Sequence, residues 1–191
     1  MRGRKLNKPM KNTLSLALAL LGLSLTSAHA ANSPYVGVSL GYLVDAEESY
    51  FTIRAGMELA QQAPADLPNR FSHNLEIELG YIDLSKGPVD FDITPLFLNY
   101  RGESHGLGFV PYFGAGIGFA IVDLADNFYG YSDDDAVFAA QAFAGLKYNF
   151  TPAVSASLGA RYIWIDDAKI AGLTADLGDD IGIEASFSFR F

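Results

Sequence analysis

The sequence contains no cysteine among its 191 residues. A disulfide framework is therefore excluded, and a domain of this size must hold itself together by another route. Basic residues are also scarce once the first thirty positions are set aside. Five of the 13 Lys+Arg lie there (Arg2, Arg4, Lys5, Lys8 and Lys11), and none of the 22 Asp+Glu does. The remainder thus carries eight basic residues against 22 acidic ones, a formal net charge of −14. That balance argues against nucleic acid or anionic headgroups as electrostatic partners. Long apolar runs are missing too. Beyond the N-terminal segment the longest is Phe109 to Val122, and it contains Pro111, Gly114, Gly116 and Gly118, which suits no helix. No shift in composition marks a linker, so residues 31–191 are expected to form one domain.

The first thirty residues form a different unit. The basic start is followed by an apolar stretch from Leu14 to Leu25 and by Ala28-His29-Ala30, small residues at the two positions a signal peptidase reads. That stretch is well short of the roughly 20 residues a spanning helix needs. Residues 1–30 are expected to be a cleaved secretory signal.

What remains has a period of two. Phe51, Ile53, Ala55, Met57 and Leu59 alternate with Thr52, Arg54, Gly56 and Glu58. Leu75, Ile77, Leu79 and Tyr81 alternate with Asn74, Glu76, Glu78 and Gly80. The same pattern recurs over Tyr35–Val44, Phe113–Phe119, Phe138–Phe150, Ser155–Trp164 and Ile183–Phe191, while Val89–Arg101 is apolar on both faces. These segments make eight strands of about ten residues, the length a tilted strand needs to cross a bilayer. Turn chemistry joins them at Lys86-Gly87-Pro88, Gly102 to Gly108 and Thr151-Pro152. An even number lets an antiparallel meander close, leaving no edge unpaired in lipid.

Alternation alone does not say which face is outside. One face carries Val, Ile, Leu, Phe, Tyr and Trp with almost no charge; the other carries glycine, serine and charges of both signs. An eight-stranded lumen has room only for side chains, and the small-and-charged face fits it better than rings from most strands. Aromatics near segment ends (Tyr42, Tyr81, Tyr100, Tyr148, Phe150, Tyr162 and Trp164) suit interfacial girdles. The expected fold is all-β: an eight-stranded antiparallel up-and-down transmembrane barrel.

Three stretches carry a family resemblance. Val110-Pro111-Tyr112-Phe113-Gly114-Ala115-Gly116-Ile117-Gly118 is similar to the fifth strand of small OmpA-type and opacity-type outer-membrane barrels, and Leu158-Gly159-Ala160-Arg161-Tyr162 resembles their seventh. The ending, with Phe187, Phe189 and Phe191, looks like the C-terminal assembly signal of such proteins. The resemblance implies the bacterial outer membrane, contact with its lipid and lipopolysaccharide, and recognition by the barrel-insertion machinery. The peptidoglycan-binding domain of full OmpA-type proteins is absent, so anchoring to the cell wall is not expected.

Inward positions offer Arg54, Glu58, Glu76, Glu78, Gln141, Lys147, Arg161, Glu184 and Arg190. Unpaired buried charge is expensive, so in so narrow a barrel these are expected to pair as a plug; an ion path is the alternative. The extracellular connections are acidic, with Asp45, Glu47 and Glu48 in the first. Asp123, Asp126 and Asp133 to Asp135 lie in or beside the third, and Asp166, Asp167, Asp176, Asp179 and Asp180 in or beside the fourth. No calcium-loop spacing is present, so a solvated acidic surface is expected rather than a metal site, and no cofactor is implied. Phe128, Tyr129 and Tyr131 beside these acids are either a contact surface or interface aromatics. Ser72-His73 and Ser104-His105 suggest a hydrolase pair, but neighbouring strand residues face opposite sides, so no catalytic role is expected. The favoured reading is a structural barrel acting in membrane integrity or surface interaction. The alternatives are a small porin and an adhesin or receptor working through its acidic loops.

Overall fold

In the computed structural model, residues 33–59, 71–86, 89–104, 106–126, 131–170, 173–175 and 177–191 are described. Residues 1–30, expected to be a secretory signal, lie outside them, as do Gly87-Pro88, His105, Phe128, Tyr129 and Asp176. The alternating segments form β1 (Pro34–Leu43), β2 (Glu48–Glu58), β3 (Phe71–Lys86), β4 (Val89–Ser104), β5 (Gly108–Asp126), β6 (Tyr131–Asn149), β7 (Val154–Ile165) and β10 (Asp179–Arg190). Each pairs antiparallel with its neighbours, and β1 closes on β10 from Tyr35↔Arg190 to Leu43↔Gly182. The expected eight-stranded closed barrel is what the chain adopts. One addition was not foreseen: β8 (Ala168–Ile170) and β9 (Leu173–Ala175) form a short hairpin of their own in the connection before β10.

Closure satisfies the backbone of every barrel strand, which is what permits an apolar exterior in lipid. The outward residues Leu40, Phe113, Ile117, Phe119, Leu158 and Ile183 are at least half exposed. Two connections at one end, between β4 and β5 and between β6 and β7, are tight. Thr151 Oγ1 accepts from the amides of Ala153 (3.2 Å) and Val154 (3.0 Å), holding the turn between β6 and β7. Gly108, at φ +83°, opens β5 in a conformation other residues rarely adopt. The two ends of the barrel meet here, where the Phe191 amide donates to the Pro34 carbonyl at 2.9 Å. By the usual arrangement of such barrels this is the periplasmic end.

Strand length departs from the expected ten residues. β1, β2, β7 and β10 have 10 to 12, but β3 and β4 have 16 and β5 and β6 have 19. The extra length lies at the extracellular end, so β3–β6 project as a four-stranded blade. Asp123, Asp126 and Asp133 to Asp135, read from sequence as loop or loop border, are therefore strand residues; Asp123 pairs with Asp134. At the other end the Gly102–Gly108 turn is shorter than expected, because β4 continues through Glu103 to Ser104.

Candidate functional site in the barrel lumen

Every second residue of each strand points inward, and glycines decide what fits there. A methyl on Gly41 or Gly182 would meet the Tyr50 ring, one on Gly56 the Tyr35 ring, one on Gly145 or Gly159 the Tyr112 hydroxyl, and one on Gly114 the Phe143 ring. Each ring leans over the bare backbone of its neighbouring strand. The space left is occupied by long polar side chains.

The eight charged residues singled out from the sequence all face this interior. Arg190 Nη1 lies 2.6 Å from Glu58 Oε2, and Arg54 donates to Ser39 (2.7 Å), Ser186 (2.9 Å) and Ser188 (3.1 Å). Lys147 Nζ is 2.5 Å from Glu103 Oε1. Deeper in, Arg161 is held by both Glu78 and Glu184, with Nη2 2.8 Å from Glu184 and 3.2 Å from Glu78, while its Nη1 also meets Gln141. The Tyr50 hydroxyl donates to Glu184 at 3.1 Å, and Gln141 donates to Asn99 at 2.7 Å.

Several members of this network were missed. Arg101 and Glu103 on β4 join it: Arg101 Nε is 3.3 Å from Glu103, and its Nη1 is 3.8 Å from Glu76. The Arg101 guanidinium also sits 3.9 Å from the Tyr112 ring centroid. Tyr35 donates to Glu76 at 2.5 Å, and Arg190 Nη2 reaches Glu103 at 3.1 Å. The spacing Asn99-x-Arg101-x-Glu103 carried the signal, but placing Glu103 in a turn hid it. Five cations (Arg54, Arg101, Lys147, Arg161 and Arg190) now face five carboxylates (Glu58, Glu76, Glu78, Glu103 and Glu184), so the network is neutral. Pairing of this kind is what makes buried charge tolerable.

The expectation of a small, polar lumen holds only for the periplasmic part. Toward the extracellular end the inward positions are Leu43, Ile82, Ile93, Phe97, Val122, Val137, Ile163 and Ile165, which form one buried apolar cluster with Tyr50, Ala120, Ala139 and Ala168. Leu177 and Ala46 pack against it from the connections above. Apolar side chains occupy both faces of the strands at this height. The charged layer therefore lies beneath an apolar cap.

At the rim of the cap, Asp180 on β10, opposite Ile163, accepts the amides of Asp45 (3.0 Å) and Ala46 (2.8 Å) and fixes the first extracellular connection. On the outer face of the blade, register places Asp83, Asp92, Asp123 and Asp134 directly opposite one another across β3, β4, β5 and β6. Four outward carboxylates in one row mark where the apolar band has ended. Partial burial, then the fields of Asp134 and Asp92, raise the Asp123 carboxyl above its ordinary value of 3.8. Among the described residues no group of three or more His, Cys, Asp or Glu is arranged to hold a metal ion. Ser72 faces the lumen and donates to the Glu103 carbonyl at 3.3 Å, while His73 faces lipid, with Nδ1 2.6 Å from the Tyr100 hydroxyl. Phe187, Phe189 and Phe191 are exposed on the outer wall.

Residues 15–191 match the outer membrane protein beta-barrel domain. The chain belongs to that family. Its place is the bacterial outer membrane, and the surrounding lipid is its solvent. No curated protein sequence matches it. Among solved structures, the barrel is similar to Neisserial surface protein A (TM-score 0.59, 14% identity, covering 85% of this chain and 98% of that one). It is also similar to OprG from Pseudomonas aeruginosa (TM-score 0.53, 16% identity, 85% and 96%). A third is the outer membrane enzyme PagL (TM-score 0.51, 18% identity, 82% and 99%). At these identities the likeness shows the fold.

Proposed function

We propose that this protein is a non-conducting structural barrel that contributes to outer-membrane integrity. The observation that carries this reading is the Arg161 guanidinium held between Glu78 and Glu184 beneath the apolar cap. An ion entering from the periplasm would have to break charge pairs and then shed its water to pass Phe97, Ile93 and Ile163. Either step alone opposes conduction, and the two lie in series. In this reading the charged residues are structural and the protein performs no catalysis, because Ser72 and His73 are separated by the barrel wall. Residues 1–30 serve as a secretory leader, and Phe187, Phe189 and Phe191 as the signal the insertion machinery reads.

Single-channel recording of the protein reconstituted in planar bilayers tests the reading, with heat-modifiable gel migration as the folding control. A folded, silent barrel is the expected result. Steady, reproducible openings would refute it and favour a small porin.

A second reading, surface interaction, is favoured by the exposed acidic row on the blade. Neutralising Asp83, Asp92, Asp123 and Asp134 together would then abolish binding to a cationic surface such as polylysine-coated beads while leaving the barrel folded.

A further inference from the structure

The five arginine and lysine side chains described in the barrel strands are committed to the lumen. Among the described side chains on the lipid-facing wall of those strands, His73 is the basic group, and it stands at the periplasmic end, two residues into β3. Its ring is held in place by neighbours. Tyr100 hydroxyl lies 2.6 Å from Nδ1, the Phe71 ring meets the imidazole edge-on at 5.6 Å, and Phe71 in turn packs on Phe113 at 5.4 Å. Nδ1 and the Tyr100 hydroxyl share one hydrogen bond, whose donor depends on the tautomer, and Nε2 has no partner among the described residues.

The same outward face of β3 continues into an apolar groove. Ile77 and Leu79 form one wall, Ala55 of β2 and Val36 of β1 the floor, and Phe187 and Phe189 of β10 the far side, around a cavity of about 150 Å³. Leu79 is 7% exposed although its position faces outward, so the groove is a true depression and not a flat wall. At about 3.3 Å per residue, Ile77 to Leu79 lie roughly 13 to 20 Å along the strand from His73. A strand tilt of about 40° reduces this to about 10 to 15 Å of depth. Half of a bilayer core is about 15 Å. The donor is thus at headgroup level and the groove at the acyl-chain depth of the same leaflet.

We propose that this strip of the outer wall is a specific site for one phospholipid of the periplasmic leaflet, with an acyl chain in the groove and the phosphodiester accepting a hydrogen bond from His73 Nε2. Tyr100, donating to Nδ1 in this arrangement, is a positioning residue that sets the tautomer. The net charge of the chain opposes long-range attraction to phosphate, so recognition rests on this short-range donor and on the fit of the chain. The inference is independent of whether the lumen conducts.

The test is a titration of the exported protein, purified in a glucoside detergent, with dihexanoylphosphatidylethanolamine. Nitrogen NMR of the imidazoles provides the readout; so few histidines are present that His73→Phe identifies the signal. A saturating shift of His73 Nε2 is expected. Tyr100→Phe should weaken the apparent affinity about threefold to tenfold, the worth of one hydrogen bond. Ala55→Phe, which fills the groove without touching the lumen, should abolish saturation; Ala55→Ile is the smaller fill if the first variant fails the heat-modifiability control. Dihexanoylglycerol and inorganic phosphate alone should leave Nε2 unmoved. A shift that never saturates, the same shift with inorganic phosphate, or folded Ala55 variants that titrate like the parent would each overturn the proposal.

Discussion

Arg161 on β7 and Glu78 on β3 stand on diametrically opposite walls of the barrel, and their side chains meet inside it. Six strands other than their own intervene in the sheet, three on either side. The pair acts as a strut across the lumen, and its strength follows from what surrounds it: both side chains are almost fully buried, so neither charge has water to fall back on.

Removing one member should therefore cost far more than removing Arg161 together with its two carboxylates, Glu78 and Glu184. Arg161→Met alone leaves Glu78 and Glu184 facing each other unpaired, and Glu78→Leu alone leaves a guanidinium short of one carboxylate. Each is expected to lower unfolding free energy by about 3–5 kcal/mol. Arg161→Met combined with both Glu78→Leu and Glu184→Leu, which leaves no carboxylate of this cluster unpaired, should recover a large part of that loss. Equilibrium urea unfolding in detergent micelles measures all three, and additive losses would show that the strut carries no coupling.

Gly41 offers a second variant cycle. A methyl there would run into the Tyr50 ring, which is already closed in by Gly182 on its other side. Gly41→Ala should cost about 1–3 kcal/mol, the range for overpacking a filled interior. In a Tyr50→Ser background the same change should cost little. An equal penalty in both backgrounds would place the strain in the backbone and not against the ring.

Asp123 gives a pH dependence with a definite sign. Its carboxyl is raised above 3.8 by burial and by Asp134 and Asp92, so the folded protein binds that proton more tightly than the unfolded chain does. Stability from this group is full below the unfolded value and is lost as pH rises through the folded one. Asp123→Asn should accordingly slow amide exchange at the tips of β5 and β6 relative to the parent at neutral pH. The advantage should vanish below about pH 3.8. An advantage that grows on acidification would reverse the assignment.

The two amides held by Asp180 should be released by Asp180→Ala. Exchange at Asp45 and Ala46 is expected to accelerate at least tenfold, the loss of charge-assisted hydrogen bonds worth about 1.5–3 kcal/mol. Exchange in the periplasmic turn around Thr151 should be unchanged. Acceleration at both ends would mean that Asp180 supports the whole barrel.

The barrel was legible because alternation is strongest where the two faces meet opposite solvents. On β3, Asn74, Glu76 and Glu78 against Leu75, Ile77 and Leu79 leaves no choice of register. On β4 the same logic failed: Phe97 and Ile93 point inward to the cap while Leu96 and Leu98 point to lipid, and a strand apolar on both faces has no period to read. That failure hid Arg101 and Glu103. Ile163 and Ile165 share the parity of Arg161, so the cap itself was written in β7. The blade escaped for the opposite reason. Asp123 and Asp133 to Asp135 look like loop residues, but beyond the bilayer a strand needs only backbone pairing, and β5 and β6 provide it up to Asp126↔Tyr131.

The acidic row on that blade also sets a kinetic problem for biogenesis. Asp83, Asp92, Asp123 and Asp134 sit directly opposite one another on adjacent strands, so the tip of the sheet must carry all four through the hydrocarbon on the way to the cell surface. A single ionised aspartate at the centre of a bilayer costs about 2.5–3.5 kcal/mol on insertion scales. Multiplied over four neighbours that also repel one another, the cost falls on the transition state of insertion and leaves the finished barrel untouched. The feature that makes the outer surface strongly hydrated thus makes unaided entry slow. It also biases the chain toward one orientation, because once the row has crossed, the same barrier opposes its return.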